Sequence, residues 1–416
     1  MSQTLLTVFE DRQKKLTLTS RQYDDILSFR SVLGENRLSL SYDGYLHVRH
    51  YIGFISKGKT RLQILPKVYE NTGLDDESQR HESMRAMLNL LRVSEFNKIL
   101  GLPDQSSIAE KDDIMEVLIS IFAAKVFDTY SRQMNREYID ISENSQYIKG
   151  KIDFIRNLRL NPIRKDRHII NYQSFEHDNL INNVIKTICL RLLRLTQMPE
   201  NKKALKKALV FLDDAIDIPL SKDIIDSAKF TRLNMPFKPV YEMAKMFFYN
   251  NMPEGYQGDD TVCSFLIPLN ELFEYYLYKV TINIDTSYKV EYHNRKRFVV
   301  NENGKTFMHL CPDISICKNN EIICIVDAKY KNPKYESGSY ININQADVYQ
   351  VFAYARVYGA RQVALIYPQF DKINPPAIRQ RMEDTDGDIE LVIACLDIRT
   401  VDLEHGVSQL REALFL

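Results

Sequence analysis

The sequence predicts a multidomain chain of mixed α+β and α/β class. Strand-like runs dominate residues 1–70, apolar residues at helical spacing dominate residues 80–216, and short strands alternate with helices after residue 268. An irregular segment with proline and glycine, residues 250–260, is the predicted seam before the last part. We therefore expect a β-rich N-terminal domain, a helical and basic middle region, and a C-terminal mixed-sheet domain, at residues 1–130, 131–250 and 251–416.

The composition indicates an ordinary globular protein. The chain has 416 residues, 44% apolar residues and a formal net charge of zero, which leaves room for two or three domains. Neutral overall charge does not exclude nucleic acid as a partner, since local patches decide that interaction. The six cysteines contain no C-x-x-C pair and are typical of buried thiols in a reducing compartment. No signal peptide is recognisable, and the most apolar segment, residues 117–127, is too short to span a bilayer, so we predict a cytoplasmic protein.

Residues 53–60 match the phosphate-loop expression G-x-x-x-x-G-K-[ST]. A phosphate loop must open a helix whose N-terminal amides bind the phosphates. Here the match spans a predicted turn at residues 56–59. Strands at residues 45–55 and 60–65 flank that turn, and the second continues to Pro66. The pattern therefore favours a β-hairpin that binds no nucleotide.

Apolar residues recur at helical spacing in several later segments. The run 209–214 resembles the second motif of nucleotide-binding proteins, an apolar strand that ends in acids. However, Leu205, Leu209 and Leu212 follow helical spacing, which puts Asp213 on a helix instead. We thus predict no nucleotide or other organic cofactor site in this chain. The predicted helices span residues 80–96, 113–136, 179–195 and 202–216.

A strongly basic stretch covers residues 149–168, where seven lysines and arginines face two aspartates. A solvated surface would account for such a run. Alternatively, the stretch contacts DNA phosphates, an interaction that releases counterions and makes binding depend on salt. The predicted DNA-binding residues are Lys149, Lys151, Arg156, Arg159, Arg164, Lys165 and Arg167.

Two apolar runs, residues 314–317 and 322–326, are joined by a polar turn and predict a second β-hairpin. Asp313 stands at the entry to the first strand. Asp327 and Lys329 stand two residues apart at the exit of the second, so they share one face about 7 Å apart along the strand. The hairpin therefore brings two carboxylates and one ammonium group around a common point.

Such a cluster suits phosphodiester chemistry. Two carboxylates with open coordination positions favour Mg²⁺, a hard ion that takes oxygen ligands and keeps several waters. A neighbouring lysine can orient the attacking water or stabilise charge on the phosphorus. Charged residues at strand ends are more often solvated edges, so the surrounding sequence has to support the functional interpretation.

The surrounding sequence provides a helix at residues 344–359, where Gln350 and Tyr354 lie on the same face as Asp347. A partly buried glutamine and tyrosine at a helix boundary would be the structural alternative. Further predicted elements are a helix at residues 269–280, with Glu271 and Glu274 on one face, and strands at residues 362–367 and 390–398.

Pro312-Asp313 followed by Asp327-Ala328-Lys329 resembles the motif of the PD-(D/E)XK nucleases, and Gln350 with Tyr354 is similar to the Q-x-x-x-Y element of their RecB-type branch. This resemblance implies a restriction-endonuclease-like mixed sheet in the C-terminal domain. It also implies catalytic roles for Asp313, Asp327, Lys329, Gln350 and Tyr354. The implied metal ligands are Asp313, Asp327, the carbonyl of Ala328 and, on the upstream helix, Glu274 in preference to Glu271.

A longer series of landmarks resembles the McrC family, the nuclease subunits of McrBC-type restriction systems. These landmarks are LQILPKVY at 62–69, MLNLLRV at 87–93, KGK at 149–151, DNLIN at 178–182, and then LNELFEYY, PDISI, IVDAKYK, ADVYQVFAYA and LIYP in that order after residue 268. The resemblance implies that the N-terminal region docks onto a hexameric AAA+ GTPase, McrB, and stimulates its GTP hydrolysis. It implies double-stranded DNA as substrate and Mg²⁺ as cofactor, with Mn²⁺ as a substitute.

We therefore predict a Mg²⁺-dependent DNA endonuclease subunit of a GTP-dependent restriction system. Two alternatives remain open on the sequence alone. The chain could be a non-catalytic adaptor that activates an AAA+ motor, in which case the acidic hairpin is ordinary core. It could also be a stand-alone RecB-like nuclease that works on DNA ends, which the presence or absence of a neighbouring GTPase gene would distinguish.

Overall fold

The computed structural model confirms a mixed α/β chain with several sheets. Within its described residues, no helix is long and apolar enough to cross a membrane. The predicted seam at residues 250–260 lies almost entirely outside the described part. The described residues are 4–67, 76–94, 97, 113–251, 262–303, 305–336, 338–370, 375–385, 387–398 and 403–414.

The N-terminal part is rich in strands, as predicted. Its elements are β1 (Thr4–Phe9), β2 (Gln13–Lys15), α1 (Ser20–Ser28), α2 (Arg30–Leu33), β3 (Leu38–Leu40), β4 (Tyr45–Val48), β5 (Tyr51–Lys57) and β6 (Thr60–Leu65). Strand β1 is parallel to β6, β6 is antiparallel to β5, and β2, β4 and β3 form a separate sheet. The predicted strand 45–55 is two strands, because the chain turns at His50, which has a φ of +68°.

Strands β5 and β6 confirm the hairpin at the phosphate-loop lookalike. Lys57 pairs with Thr60 across the turn, and every residue of β6 is buried. Residues 60–65 are therefore extended where a nucleotide-binding loop would start a helix.

The middle region is less helical than predicted. Its elements are α3 (Asp76–Val93), α4 (Ile114–Arg132), β7 (Glu137–Ser145), β8 (Lys151–Ile152), α5 (Phe154–Leu160), β9 (His168–Glu176), α6 (Leu180–Leu195), α7 (Pro199–Val210), α8 (Lys222–Asp226) and α9 (Lys238–Asn251), with a 3₁₀ turn at Met235–Phe237. Strands β7, β9 and β8 form an antiparallel sheet that the helical prediction missed. Only Ile169 and Ile170 of β7 and β9 are buried, and the other residues of the two strands are half-buried or exposed, so the strands lack the strongly apolar face from which a strand is recognised in a sequence.

Side-chain caps set two helix starts in this region. Asp113 accepts a hydrogen bond of 2.9 Å from the amide of Met115, and Asn179 accepts one of 3.1 Å from the amide of Asn182. Helix α7 ends at Val210. The expectation that Asp213 lies on a helix was wrong, since residues 211–214 form turns.

A buried ionic network joins β6 to the middle helices. The Arg61 guanidinium is bonded to Asp113 and lies 3.7 Å from Glu116. Glu116 also accepts hydrogen bonds from Thr196 and Asn201, at 2.5 and 2.8 Å. Burial raises the pKa of Asp113, while Arg61 opposes that rise. Arg61 is therefore the cation that offsets the burial of the Asp113 carboxylate.

Arg61→Met should destabilise the protein substantially. It leaves Asp113 and Glu116 buried without their cation, which costs about 3–5 kcal/mol of unfolding free energy. Urea unfolding measures the loss. The control is Arg49→Met, because Arg49 is exposed and lies 3.8 Å from Asp11; a surface pair is worth about 0–1 kcal/mol. Equal losses in the two variants would contradict the proposed importance of the buried network.

The C-terminal part contains a six-stranded mixed sheet. Its elements are β10 (Val262–Pro268), α10 (Leu269–Ile282), β11 (Lys289–Tyr292), β12 (Lys296–Val300), β13 (Thr306–Leu310), β14 (Ile314–Lys318), β15 (Glu321–Ala328), β16 (Lys334–Glu336), β17 (Ser339–Ile341), α11 (Gln345–Tyr358), β18 (Gln362–Pro368), β19 (Ile378–Met382), β20 (Ile389–Leu396) and α12 (Leu403–Leu414). The strand order is β11-β14-β15-β18-β20-β19, with β15, β18 and β20 parallel.

Helices cover both faces of this sheet. Ile325 lies in one core with Val351 of α11, whereas Cys324 and Val326 lie in the other core with Phe273 of α10. Successive residues of β15 thus point to opposite faces, and both faces are apolar, as in a strand buried between two helical layers. The sheet holds the ends of β14 and β15 in fixed positions for the site described below.

Strand β10 ties the C-terminal part to the N-terminal sheet. It pairs antiparallel with β5 along its whole length, and the amide of Leu269 donates a 2.9 Å hydrogen bond to the carbonyl of His50. The first strand of the predicted third domain is therefore an edge of the N-terminal sheet. The predicted domain boundaries themselves stay predictions.

Candidate active site

The two predicted aspartates meet at one end of the β14–β15 hairpin. The register pairs Ile314 with Val326, so Asp313 just before β14 faces Asp327 near the end of β15. Asp313 Oδ2 accepts a hydrogen bond of 2.8 Å from the amide of Ala328. That bond fixes the first carboxylate against the backbone that follows the second one.

The surroundings of the two carboxylates disfavour their charged forms. Burial raises the pKa of Asp313 to about 8, and the charges of Asp327 and Glu274 add to the rise. Burial also raises the pKa of Asp327, although the nearby Lys329 opposes it. A bound divalent cation would reverse this preference, because it favours the charged forms.

Lys329 is held by acids and an amide. Its Nζ lies 2.6 Å from Asp327 Oδ2 and 3.8 Å from Asp347 Oδ1, and it donates a 2.9 Å hydrogen bond to Gln350 Oε1. Burial acts to lower the pKa of Lys329, but Asp327 and Asp347 outweigh it and raise that pKa. The lysine therefore stays charged and points into the cluster.

Helix α11 connects the lysine to the loop that carries Asp313. Gln350 Nε2 donates a 2.8 Å hydrogen bond to the hydroxyl of Tyr354, which donates in turn to the carbonyl of Cys311 at 3.2 Å. The structure thus brings together Asp313, Asp327, Lys329, Gln350 and Tyr354 in one connected cluster.

Asp347 joins this cluster from the first turn of α11. It accepts a hydrogen bond of 2.7 Å from Lys331 Nζ and lies near Lys329. Sequence reasoning placed Asp347 on the helix face of Gln350 without giving it a role. Its position anchors both lysines that follow β15.

Glu274 is the acid of α10 that reaches the cluster, whereas Glu271 is exposed one turn earlier. Glu274 contacts the Nε2 atom of His293, and ligand atoms of Glu274, His293 and Asp313 all lie within 4.8 Å of one another. These distances and the carboxylate donors fit a divalent cation.

Sequence reasoning missed His293. The residue follows β11 in a turn with a φ of +52°, and its ring stacks on Tyr292 with 3.9 Å between ring centroids. Its amide donates a 2.9 Å hydrogen bond to the carbonyl of Asp313. Its sequence neighbours give no sign of this arrangement, because the backbone of β11 and β14 creates it.

The predicted DNA-binding residues lie elsewhere, on and beside the β7–β9–β8 sheet. Lys149 stacks over the Tyr172 ring at 4.0 Å, Arg156 bonds to Ser142 at 2.9 Å, and Arg164 pairs with Asp166 at 2.9 Å. The same segment exposes apolar side chains, among them Phe154, Ile155 and Leu158. The segment therefore exposes apolar residues beside its basic ones, and its DNA-binding role stays a prediction.

Residues 46–368 match the sequence profile of a family described as "McrBC 5-methylcytosine restriction system component". No curated protein matches the chain. One similar structure is the refined half-complex of Thermococcus gammatolerans McrB AAA+ hexamers with bound McrC; the match has 20% identity and a TM-score of 0.75 and covers 99% of both chains. Another is the cryo-EM structure of the Thermococcus gammatolerans McrBC complex, with 22% identity, a TM-score of 0.53, and coverage of 68% of this chain and 88% of the other.

Proposed function

Because this chain belongs to the McrBC family of 5-methylcytosine restriction system components, we propose that it is the Mg²⁺-dependent DNA endonuclease subunit of such a system. The observation that carries this proposal is the cluster of Asp313, Asp327 and Lys329 at one end of the β14–β15 hairpin. A PD-(D/E)XK nuclease requires these groups in this arrangement. Phosphodiester hydrolysis in double-stranded DNA is the reaction that they support.

Asp313, Asp327, Glu274 and the carbonyl of Ala328 would hold the cation, with Mg²⁺ as the physiological ion and Mn²⁺ as a substitute. When bound, the ion supplies charge that polarises the phosphodiester and lowers the pKa of a water molecule. Lys329 Nζ, held by Asp327 and Gln350, orients the attacking water and stabilises the developing negative charge.

Gln350 and Tyr354 act as positioning residues in this proposal. Gln350 accepts a hydrogen bond from Lys329 Nζ and donates one to the Tyr354 hydroxyl, which in turn donates to the carbonyl of Cys311. Because these polar groups are already in position, they need not reorganise during the reaction. This preorganisation accounts for much of the rate enhancement that polar groups provide in active sites.

The partner in this proposal is a McrB-type AAA+ GTPase; one similar structure contains McrB AAA+ hexamers with bound McrC, and the other is a McrBC complex. The N-terminal domain would dock onto it and stimulate GTP hydrolysis, and the basic residues of the segment 149–168 would contact DNA phosphates. The five free cysteines among the described side chains support a reducing compartment, and we place the protein in the cytoplasm.

Two alternatives compete with this proposal. A non-catalytic adaptor would keep the fold, but it would have no need of two adjacent carboxylates whose pKa values are raised by burial. Buried charges are often replaced by apolar residues without loss of stability, so their presence favours chemistry. A stand-alone nuclease would cleave DNA without a GTPase.

The test is to purify the chain with a McrB-type AAA+ GTPase from the same genome. Cleavage of methylated plasmid in Mg²⁺ and GTP is the expected result, with little cleavage when either GTP or the partner is omitted. GTP-independent cleavage by the chain alone would favour the stand-alone nuclease. Stimulated GTP hydrolysis without any cleavage would favour the adaptor.

A further inference from the structure

A two-stranded β-ribbon is inserted in the sequence between two residues of the active-site cluster. It consists of β12 (Lys296–Val300) and β13 (Thr306–Leu310), and it is inserted in the chain between His293 and Asp313. All five residues of β12 are exposed, as are the central residues of β13. His293 precedes the ribbon in the chain and Asp313 follows it. The base of the ribbon therefore lies at the candidate active site.

The base of the ribbon is fixed to helix α11. The Tyr358 hydroxyl lies 2.5 Å from the carbonyl oxygen of Asn294 and 2.9 Å from that of Leu310, so it contacts both strands at their base. Lys296 Nζ lies 4.4 Å from the centre of the Tyr358 ring and adds a cation–π contact. The helix that positions Lys329 therefore also positions the ribbon.

The ribbon surface is basic and apolar. Between residues 294 and 310, four lysines and arginines (295, 296, 297 and 305) and one glutamate (302) give a formal charge of +3, with histidine neutral. The chain as a whole has a formal charge of zero. Phe307 is 79% exposed, and Phe298 and Met308 are also exposed. Exposed aromatic residues among cations are typical of a surface that binds a partner.

We propose that this ribbon lies in a groove of double-stranded DNA beside the phosphodiester bond that is cleaved. The inference rests on the proposed nuclease function and extends it to a DNA-positioning element. The major groove is about 12 Å wide and admits a two-stranded β-ribbon. Basic side chains then contact phosphates on both rims, and Phe307, the most exposed apolar residue of the ribbon, faces the bases and sugars.

Charge and position identify DNA as the occupant. A partner protein or a second copy of the chain could cover the apolar residues, but neither would need cations beside a phosphodiester site. Phosphate contacts fix the register of a protein on the duplex. The ribbon is joined to His293 and Asp313, so DNA held on it is also aligned with the carboxylates.

The test replaces Arg295, Arg297 and Lys305 by glutamine in the full chain with its AAA+ partner, and it leaves Lys296, which packs on Tyr358, in place. Fluorescence anisotropy with a duplex oligonucleotide, without divalent ions, should show weaker binding. The slope of log K against log salt should fall by about 0.9 for each phosphate that the protein no longer neutralises. The control removes the same charge from α7, with Lys203→Gln, Lys206→Gln and Lys207→Gln, all exposed, and should change neither quantity.

A second variant, Phe307→Ser, separates the apolar contacts from the ionic ones. It should weaken binding without changing the salt slope, and circular dichroism checks that both ribbon variants remain folded. If the wild type cleaves DNA and both variants bind DNA as the wild type does, the ribbon inference is wrong and the nuclease function stands. If the wild type cleaves no DNA, the nuclease function is wrong. A variant that changes only the oligomeric state, measured by sedimentation, shows that the ribbon binds a second copy instead.

Discussion

Asp327→Asn should abolish DNA cleavage while the protein still assembles with its partner. Asp327 is 1% exposed and lies 2.6 Å from Lys329 Nζ, so the substitution removes a proposed metal ligand and the anion that orients the lysine. Removal of one group that stabilises a transition state typically costs about 10²–10³-fold in rate, and loss of a metal ligand should cost at least that. Single-turnover cleavage of methylated plasmid measures the effect.

The asparagine is preferred to alanine because it keeps the volume of the buried side chain and leaves no cavity. Lys329→Met should have a similar effect on cleavage. Partner binding and partner GTP hydrolysis should remain near the wild-type level in both variants. Asp388→Asn is the control for the chemical change, because Asp388 is an exposed aspartate that pairs with Arg381 on the far edge of the same sheet. Cleavage by Asp327→Asn at the rate of this control would refute the site.

Much of the site could be predicted because its signals are local. The predicted helix 344–359 corresponds to α11. Asn344 caps its start by accepting a 2.9 Å hydrogen bond from the amide of Ala346, and Gly359 ends it with a φ of +74°. The hairpin could be recognised from two apolar runs around a polar turn. Its register follows from the short connection, and that register brings Asp313 and Asp327 together.

Other parts depend on pairing between distant segments. His293 reaches Glu274 because β11 pairs with β14 and the following turn bends back. No local pattern of apolar residues encodes that approach. Strand β10 pairs with β5, more than two hundred positions earlier in the chain, and this contact crosses the predicted domain boundaries. Propensity and periodicity report which segments are strands, but they do not report which strands become neighbours.

Metal binding should strengthen steeply as the pH rises from about 6 to 8. The pKa of Asp313 is about 8 without metal because of burial and of its neighbours Asp327 and Glu274. Below that pH a proton occupies an oxygen that the cation needs, and binding must release it. One released proton changes the apparent affinity by about tenfold per pH unit, and the dependence should level off above pH 8. Calorimetric titration with Mg²⁺ or Mn²⁺, without DNA, measures this directly.

The same shift predicts how stability depends on pH. The folded pKa of Asp313 lies above the ordinary aspartate value of 3.8, so between about pH 4 and 8 the folded protein holds a proton that the unfolded chain releases. Stability contributed by this group is therefore present at low pH and is lost as the pH rises through 8. Mg²⁺ should restore it at pH 8 by binding the folded state. Asp313→Asn should remove both effects, giving a metal-free protein that resists urea better than the wild type at pH 8 and gains little from Mg²⁺.

Across a metal series, Mg²⁺ and Mn²⁺ should support cleavage, whereas Ca²⁺ should bind without supporting it, since its larger and looser coordination shell holds water and phosphate less strictly. EDTA should stop the reaction. Full activity in EDTA, or a strict requirement for Zn²⁺, would mean that the carboxylates of the β14–β15 hairpin are not the catalytic centre. A wild-type metal affinity that does not change between pH 6 and 8 would instead show that Asp313 is already ionised and that its neighbours do not oppose its charge. The metal requirement for cleavage tests whether these carboxylates are the catalytic centre, and the pH dependence of metal affinity tests whether the pKa of Asp313 is raised. The two results are independent, so either prediction can fail without the other.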